Sequence, residues 1–126
     1  MRVFKTRSFA RFVRQEMISN DALAKAIRQV ENGLIDADLG SGLIKLRLAR
    51  PGGGKRGGYR TLIAHSAGNF AVFLFGFAKN ERENITPDQL AELKAFASGL
   101  LRQSDSEFTD DVTQGRLQEV HYDGEN

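Results

Sequence analysis

Residues 69–79 read NFAVFLFGFAK, a run in which alternate positions are apolar on both sides of an extended chain. Phe73, Phe75 and Phe77 fall on one side, and Phe70, Val72 and Leu74 on the other. A strand with two apolar faces must lie inside a sheet that is covered, at least in part, on both sides. The preceding run YRTLIAHS is also strand-like, and SAGN, with Gly68-Asn69, supplies a tight turn between the two. Upstream, LIKLRLAR alternates cleanly. Ile44, Leu46 and Leu48 share one face while Lys45 and Arg47 share the other, a strand with one wet, cationic side.

The remaining segments are helical or short. MRVFKT reads as a strand. RSFARFVRQEM places Phe9, Phe12, Val13 and Met17 at helical spacing, and SNDALAKAIRQVENG repeats the pattern with Leu23, Ala26, Ile27 and Val30. Ser19 or Asn20 caps the second helix and Gly33 stops it, which makes the pair a helical hairpin. TPDQLAELKAFASGLLRQ has Thr86 as N-cap, Pro87 at the first helical position and Gln89 closing a capping box. After it, residues 103–126 allow a short helix and a terminal strand around Leu117 to Val120. The order β-α-α-β-β-β-α implies an α+β fold. The simplest version is an antiparallel sheet of about four strands with helices on one face, an N-terminal helical hairpin and a C-terminal helix. Residues 1–102 form the expected domain and 103–126 an acidic extension.

Several classes of function are disfavoured by composition. At 126 residues with 40% apolar content, one modest core is expected and no window reaches membrane-spanning length. No signal-peptide h-region is evident at the N-terminus. Cysteine is absent, so disulfides and thiolate metal sites are out and a reducing cytoplasm is the natural compartment. His65 and His121 have no ligand-like spacing, and neither metal nor cofactor is expected. The net charge of +2 is the difference between a body of +8 over residues 1–102 and a tail of −6 over 103–126. A basic body points to a polyanionic partner.

The charge concentrates around PGGGKRGGYR, residues 51–60. Gly52, Gly54 and Gly57 match G-x-G-x-x-G, but a strand pattern follows where a dinucleotide fingerprint must open a helix. Lys55 is followed by Arg56, not Ser or Thr, so a Walker A loop is also excluded. The segment reads instead as a hairpin loop. From Leu43 to Arg60 there are six cations (Lys45, Arg47, Arg50, Lys55, Arg56 and Arg60) and no carboxylate. Mutually repelling cations on neighbouring strands are stabilised by a polyanion, with affinity that falls steeply with salt.

The stretch GLIKLRLARPGGGKRGGYRTLIAH, followed by FLFGFAKNERENIT and the LAELKAFA helix, resembles the RelE/HigB superfamily of bacterial toxins. Its G-K-R-G-G-x-R and later F-x-K-N-E segments are most similar to the HigB-like branch, over roughly residues 2–102. The resemblance implies the toxin of a type II toxin–antitoxin system. Such a toxin is a ribosome-associated mRNA endoribonuclease that inhibits translation and is held inactive by a cognate antitoxin, here expected to be a helix-turn-helix protein. Family members cut messenger RNA without metal, through attack of the ribose 2′-hydroxyl. That chemistry needs a base, charge stabilisation at phosphorus and protonation of the leaving oxygen. By resemblance, Arg60 clamps the scissile phosphate, Lys79 adds transition-state charge and Lys55 is the candidate proton-transfer lysine, its pKa lowered by neighbouring cations. Lys45, Arg47, Arg50, Arg56 and Tyr59 are the candidate RNA-binding residues.

Alternatives stay open for several of these. Tyr59 either stacks on a base or packs on the sheet. Glu81 is a second candidate base, and His65, among apolar residues, reads as a core histidine. The chain departs from several family members in lacking a tyrosine near the C-terminal end of the core, which leaves the acid and base unassigned. Two other functions compete. ParE-like relatives poison DNA gyrase without cleavage, and a basic RNA-binding module need not cut at all. The density of Lys and Arg between 43 and 60 favours the nuclease.

Overall fold

The computed structural model describes residues 1–50, 58–78 and 85–121. β1 (Arg2–Thr6) leads into α1 (Arg7–Glu16) and α2 (Asn20–Glu31). β2 (Ala37–Gly40), β3 (Leu43–Leu48), β4 (Tyr59–Ser66) and β5 (Phe70–Ala78) follow, then α3 (Pro87–Leu100), α4 (Asp105–Thr113) and β6 (Leu117–Glu119). The class is α+β. The sheet, however, has six strands in the order β2-β3-β4-β5-β1-β6, and it is mixed rather than antiparallel because β1 pairs parallel with β5. The terminal strand expected around Leu117 to Val120 is present as β6, whereas the short β2 was not expected. β2 is signalled only by Gly40-Ser41-Gly42, whose residues take φ of 87°, 58° and 79° to turn it back onto β3.

Helices cover both faces, not one. On the first face, Val3, Ile44, Leu46, Ile63, Ala71 and Phe73 pack with Phe9 and Val13 of α1 and Leu23, Ala26 and Ile27 of α2. On the second, Phe4, Leu43, Leu62, Val72 and Leu74 pack with Ala97 and Leu100 of α3 and Phe108 of α4. Adjacent residues such as Val3 and Phe4 enter opposite clusters, as the two-residue period of a strand requires. α4 and β6 come from the acidic segment after residue 102. They are held by β6 pairing with β1 and by Arg2, whose guanidinium donates to both carboxylate oxygens of Glu119 (3.0 and 2.8 Å) and to Asp105 (3.0 Å).

Ser19 caps α2 and Thr86 closes the capping box with Gln89, as expected. Met17 departs from expectation. It is 83% exposed because α1 ends at Glu16 and Met17 turns into the left-handed region (φ 55°), leaving Ile18 to fill the core. β5 departs too. Leu62 pairs with Phe75 but Ile63 pairs with Phe73, so β5 carries one extra residue there. This bulge flips every side chain beyond it. Phe73 packs toward α1, while Phe75 packs with the second cluster. Thr6 helps hold the bulge: its Oγ1 donates to the Leu74 carbonyl (3.0 Å) while accepting from the Phe9 amide to cap α1 (3.1 Å).

Candidate functional site

The cationic face of β3 and β4 lies on the α3 side of the sheet. Lys45 is opposite Leu62, and Arg47 is directly opposite Arg60. Residues opposite each other in an antiparallel pair project to the same face, and like charges so placed repel. The two arginines resolve that repulsion differently. Arg47 is paired with Asp36, Nε to Oδ2 at 3.3 Å, and the Asp36 amide donates to the Lys45 carbonyl, which keeps the carboxylate beside β3. Among the described residues Arg60 has no such anion. The residue is half-buried, and its Nη1 is sealed from solvent with no hydrogen-bond partner among the described residues. Across β5 its neighbour is Phe77. Asp36, Ala37, Lys45, Arg47 and Arg60 together line an open depression of about 290 Å³.

The strand ends fix this geometry. A Cβ on Gly58 would lie 2.0 Å from the Leu48 carbonyl oxygen, so only glycine lets β4 begin this close to β3. On the covered face Thr61 donates to the Leu46 carbonyl (2.7 Å), a buried tie between the same strands. Arg60 is therefore held by a rigid ladder on the side facing away from its neighbours Tyr59 and Thr61.

The structure brings together Lys45, Arg47 and Arg60 and separates two other candidates. Tyr59 is only 2% exposed. Its ring meets Phe12 edge-on at 5.4 Å, on the opposite face of the sheet, so of its two readings the packing one describes its ring. Arg50 accompanies it, with its guanidinium 5.4 Å from the Tyr59 ring centre and 3.9 Å from Glu16. Alternation explains both, since odd and even positions of a strand serve different faces. Lys55, Arg56, Lys79 and Glu81 lie outside the described residues. His65, opposite Ala71, is half-buried, and burial pushes its imidazole down.

Asp36 was not anticipated from the sequence. It lies eleven residues from Arg47 on a segment without periodicity, and only the glycine-rich turn before β3 hints that this segment folds back. A cation-lined hollow with one internal carboxylate and one unanswered guanidinium nitrogen is suited to an anion that presents several oxygens, above all a phosphodiester.

A search of curated proteins finds no significant match. The family model described as "RelE toxin of RelE / RelB toxin-antitoxin system" matches residues 1–120, which takes in the sheet, all four helices and β6. This chain belongs to the RelE toxin family of RelE/RelB toxin–antitoxin systems.

Proposed function

We propose that this chain is a ribosome-associated mRNA endoribonuclease, similar to the HigB-like branch of its family, acting in the cytoplasm and neutralised by a helix-turn-helix antitoxin. The observation that carries this reading is the sealed Nη1 of Arg60, unpartnered among the described residues, in the hollow it shares with Lys45 and Arg47. A buried cationic donor left unsatisfied costs about 1–3 kcal/mol or more, and a phosphate oxygen supplies the missing acceptor.

The reaction would run as follows at the scissile phosphodiester. The 2′-oxygen loses its proton to a base and bonds to phosphorus, and the bond from phosphorus to the 5′-oxygen breaks. The 5′-oxygen takes up a proton, leaving a 2′,3′-cyclic phosphate and a 5′-hydroxyl. The chain's part is to stabilise the extra negative charge that builds on the non-bridging oxygens. On this reading Arg60 does so, with Lys79 as the second cation and Lys55 as the proton-transfer lysine. Lys45 and Arg47 grip the flanking backbone, and Arg56 is a further candidate for the same role.

The test is expression in cells with mapping of mRNA 5′ ends. Cuts at codon positions in translated messages are expected, falling by about 100-fold or more with Arg60→Ala, as for loss of a transition-state donor. Growth arrest with intact messages and broken DNA would instead make the chain a gyrase poison.

A further inference from the structure

We infer that the exposed side of α1 is a second nucleic-acid contact, in which Arg7, Arg11 and Arg14 bind the phosphate backbone of folded RNA on the sheet face opposite Arg60. All three arginines are exposed. At positions i, i+4 and i+7 they form one row, spanning about 10 Å along the helix axis. None forms an ion pair among the described residues. The first turn of α1 contains no acid, and Glu16, the helix's one carboxylate, is half-buried near Arg50.

Helix stability does not account for this arrangement. A cation in the first turn opposes the helix dipole, and like charges at i and i+4 repel. α2, packed on the same face of the sheet, has the arrangement a solvated helix usually shows. Asp21 sits in its first turn, four residues before Lys25, and Arg28 in its last. The crowding extends into the sheet: burial, together with the charge of Arg14, pushes the Lys5 ammonium down. Of the apolar residues of α1, Phe9, Ala10 and Val13 are buried, and Phe12, half-buried, is packed against Phe9 and Tyr59, so the helix turns its apolar side to the sheet and not to a lipid surface. What remains is a row of planar donors at regular intervals, the chemistry that matches a phosphate backbone.

The inference rests on RNA being the ligand of the Arg60 site, and the experiment separates the two. The probe is a 2′-O-methylated RNA hairpin, which cannot be cut, titrated into the full chain over a range of salt. Three phosphate contacts predict that the triple variant R7Q/R11Q/R14Q binds at least about 10-fold more weakly, with a salt slope shallower by about 2 to 3. The triple lysine variant should keep most of that slope. Circular dichroism should show both variants folded, since Gln and Lys are good helix formers on an exposed face. An unchanged slope in the glutamine variant, with wild-type protein binding the hairpin, overturns the α1 contact and leaves the Arg60 reading standing. Failure of wild-type protein to bind the hairpin overturns both. Loss of binding to phosphatidylserine vesicles or to poly-glutamate, with RNA binding intact, assigns the row to another partner and also overturns the inference.

Discussion

Arg60 combines a stability cost with the role proposed for it. A long cation whose inner nitrogen meets neither water nor an acceptor weakens the fold, and replacing such a group with an apolar side chain of similar length is commonly neutral or stabilising. Arg60→Met is therefore expected to hold or raise the unfolding free energy by about 1 kcal/mol in urea titrations while abolishing RNA cleavage. A residue that merely propped up β4 would show the reverse, a loss of stability with cleavage retained per folded molecule. The strand position of Arg60 was legible in the sequence. Asp36 was not, because the contact that brings it to Arg47 is made by a short strand with no hydrophobic alternation to announce it. Tyr59 was ambiguous for a physical reason: an aromatic beside a cation reads alike whether its ring faces RNA or the half-buried Phe12.

Among the elements, β5 shows most clearly where a strand pattern is reliable and where it fails. Its burial was readable from six apolar residues in a row, Phe70 to Phe75, and its central place in the sheet followed. The bulge was hidden, because an inserted residue leaves no mark in a run apolar on both sides. Gly76 is its one trace. A Cβ there would come within 2.6 Å of the Phe12 ring, which is itself wedged against Phe9 and Tyr59. Gly76→Ala should therefore cost about 1–3 kcal/mol, the range for overpacking, measured by thermal or urea unfolding. The Phe12→Ala background should recover part of that loss by opening room for the methyl group. The helices were the easiest elements to place, since Ser19, Thr86 and Pro87 act locally and need no tertiary partner.

For the whole molecule, the seam that joins its two ends is an acid-sensitive one. Hydrogen bonds from Arg2 hold the Glu119 carboxyl below its ordinary value of 4.5. A depressed carboxylate contributes stability that is complete above the unfolded value and is lost as pH falls through the folded one. Unfolding free energy should therefore drop below about pH 4.5, and Glu119→Gln should flatten that part of the profile while lowering stability near neutrality. The mixed six-stranded order was beyond sequence reading, because pairing between strands far apart in the chain is set by the assembled core and not by any local signal. That same order sets a schedule for synthesis. β1 is the earliest strand made, yet both of its neighbours, β5 and β6, are the last, and the Arg2–Glu119 bond closes a separation of 117 residues. Until translation has passed Glu119, the outer edge of β1 has no partner strand, and a prematurely terminated product keeps an open, adhesive sheet edge that invites aggregation and degradation.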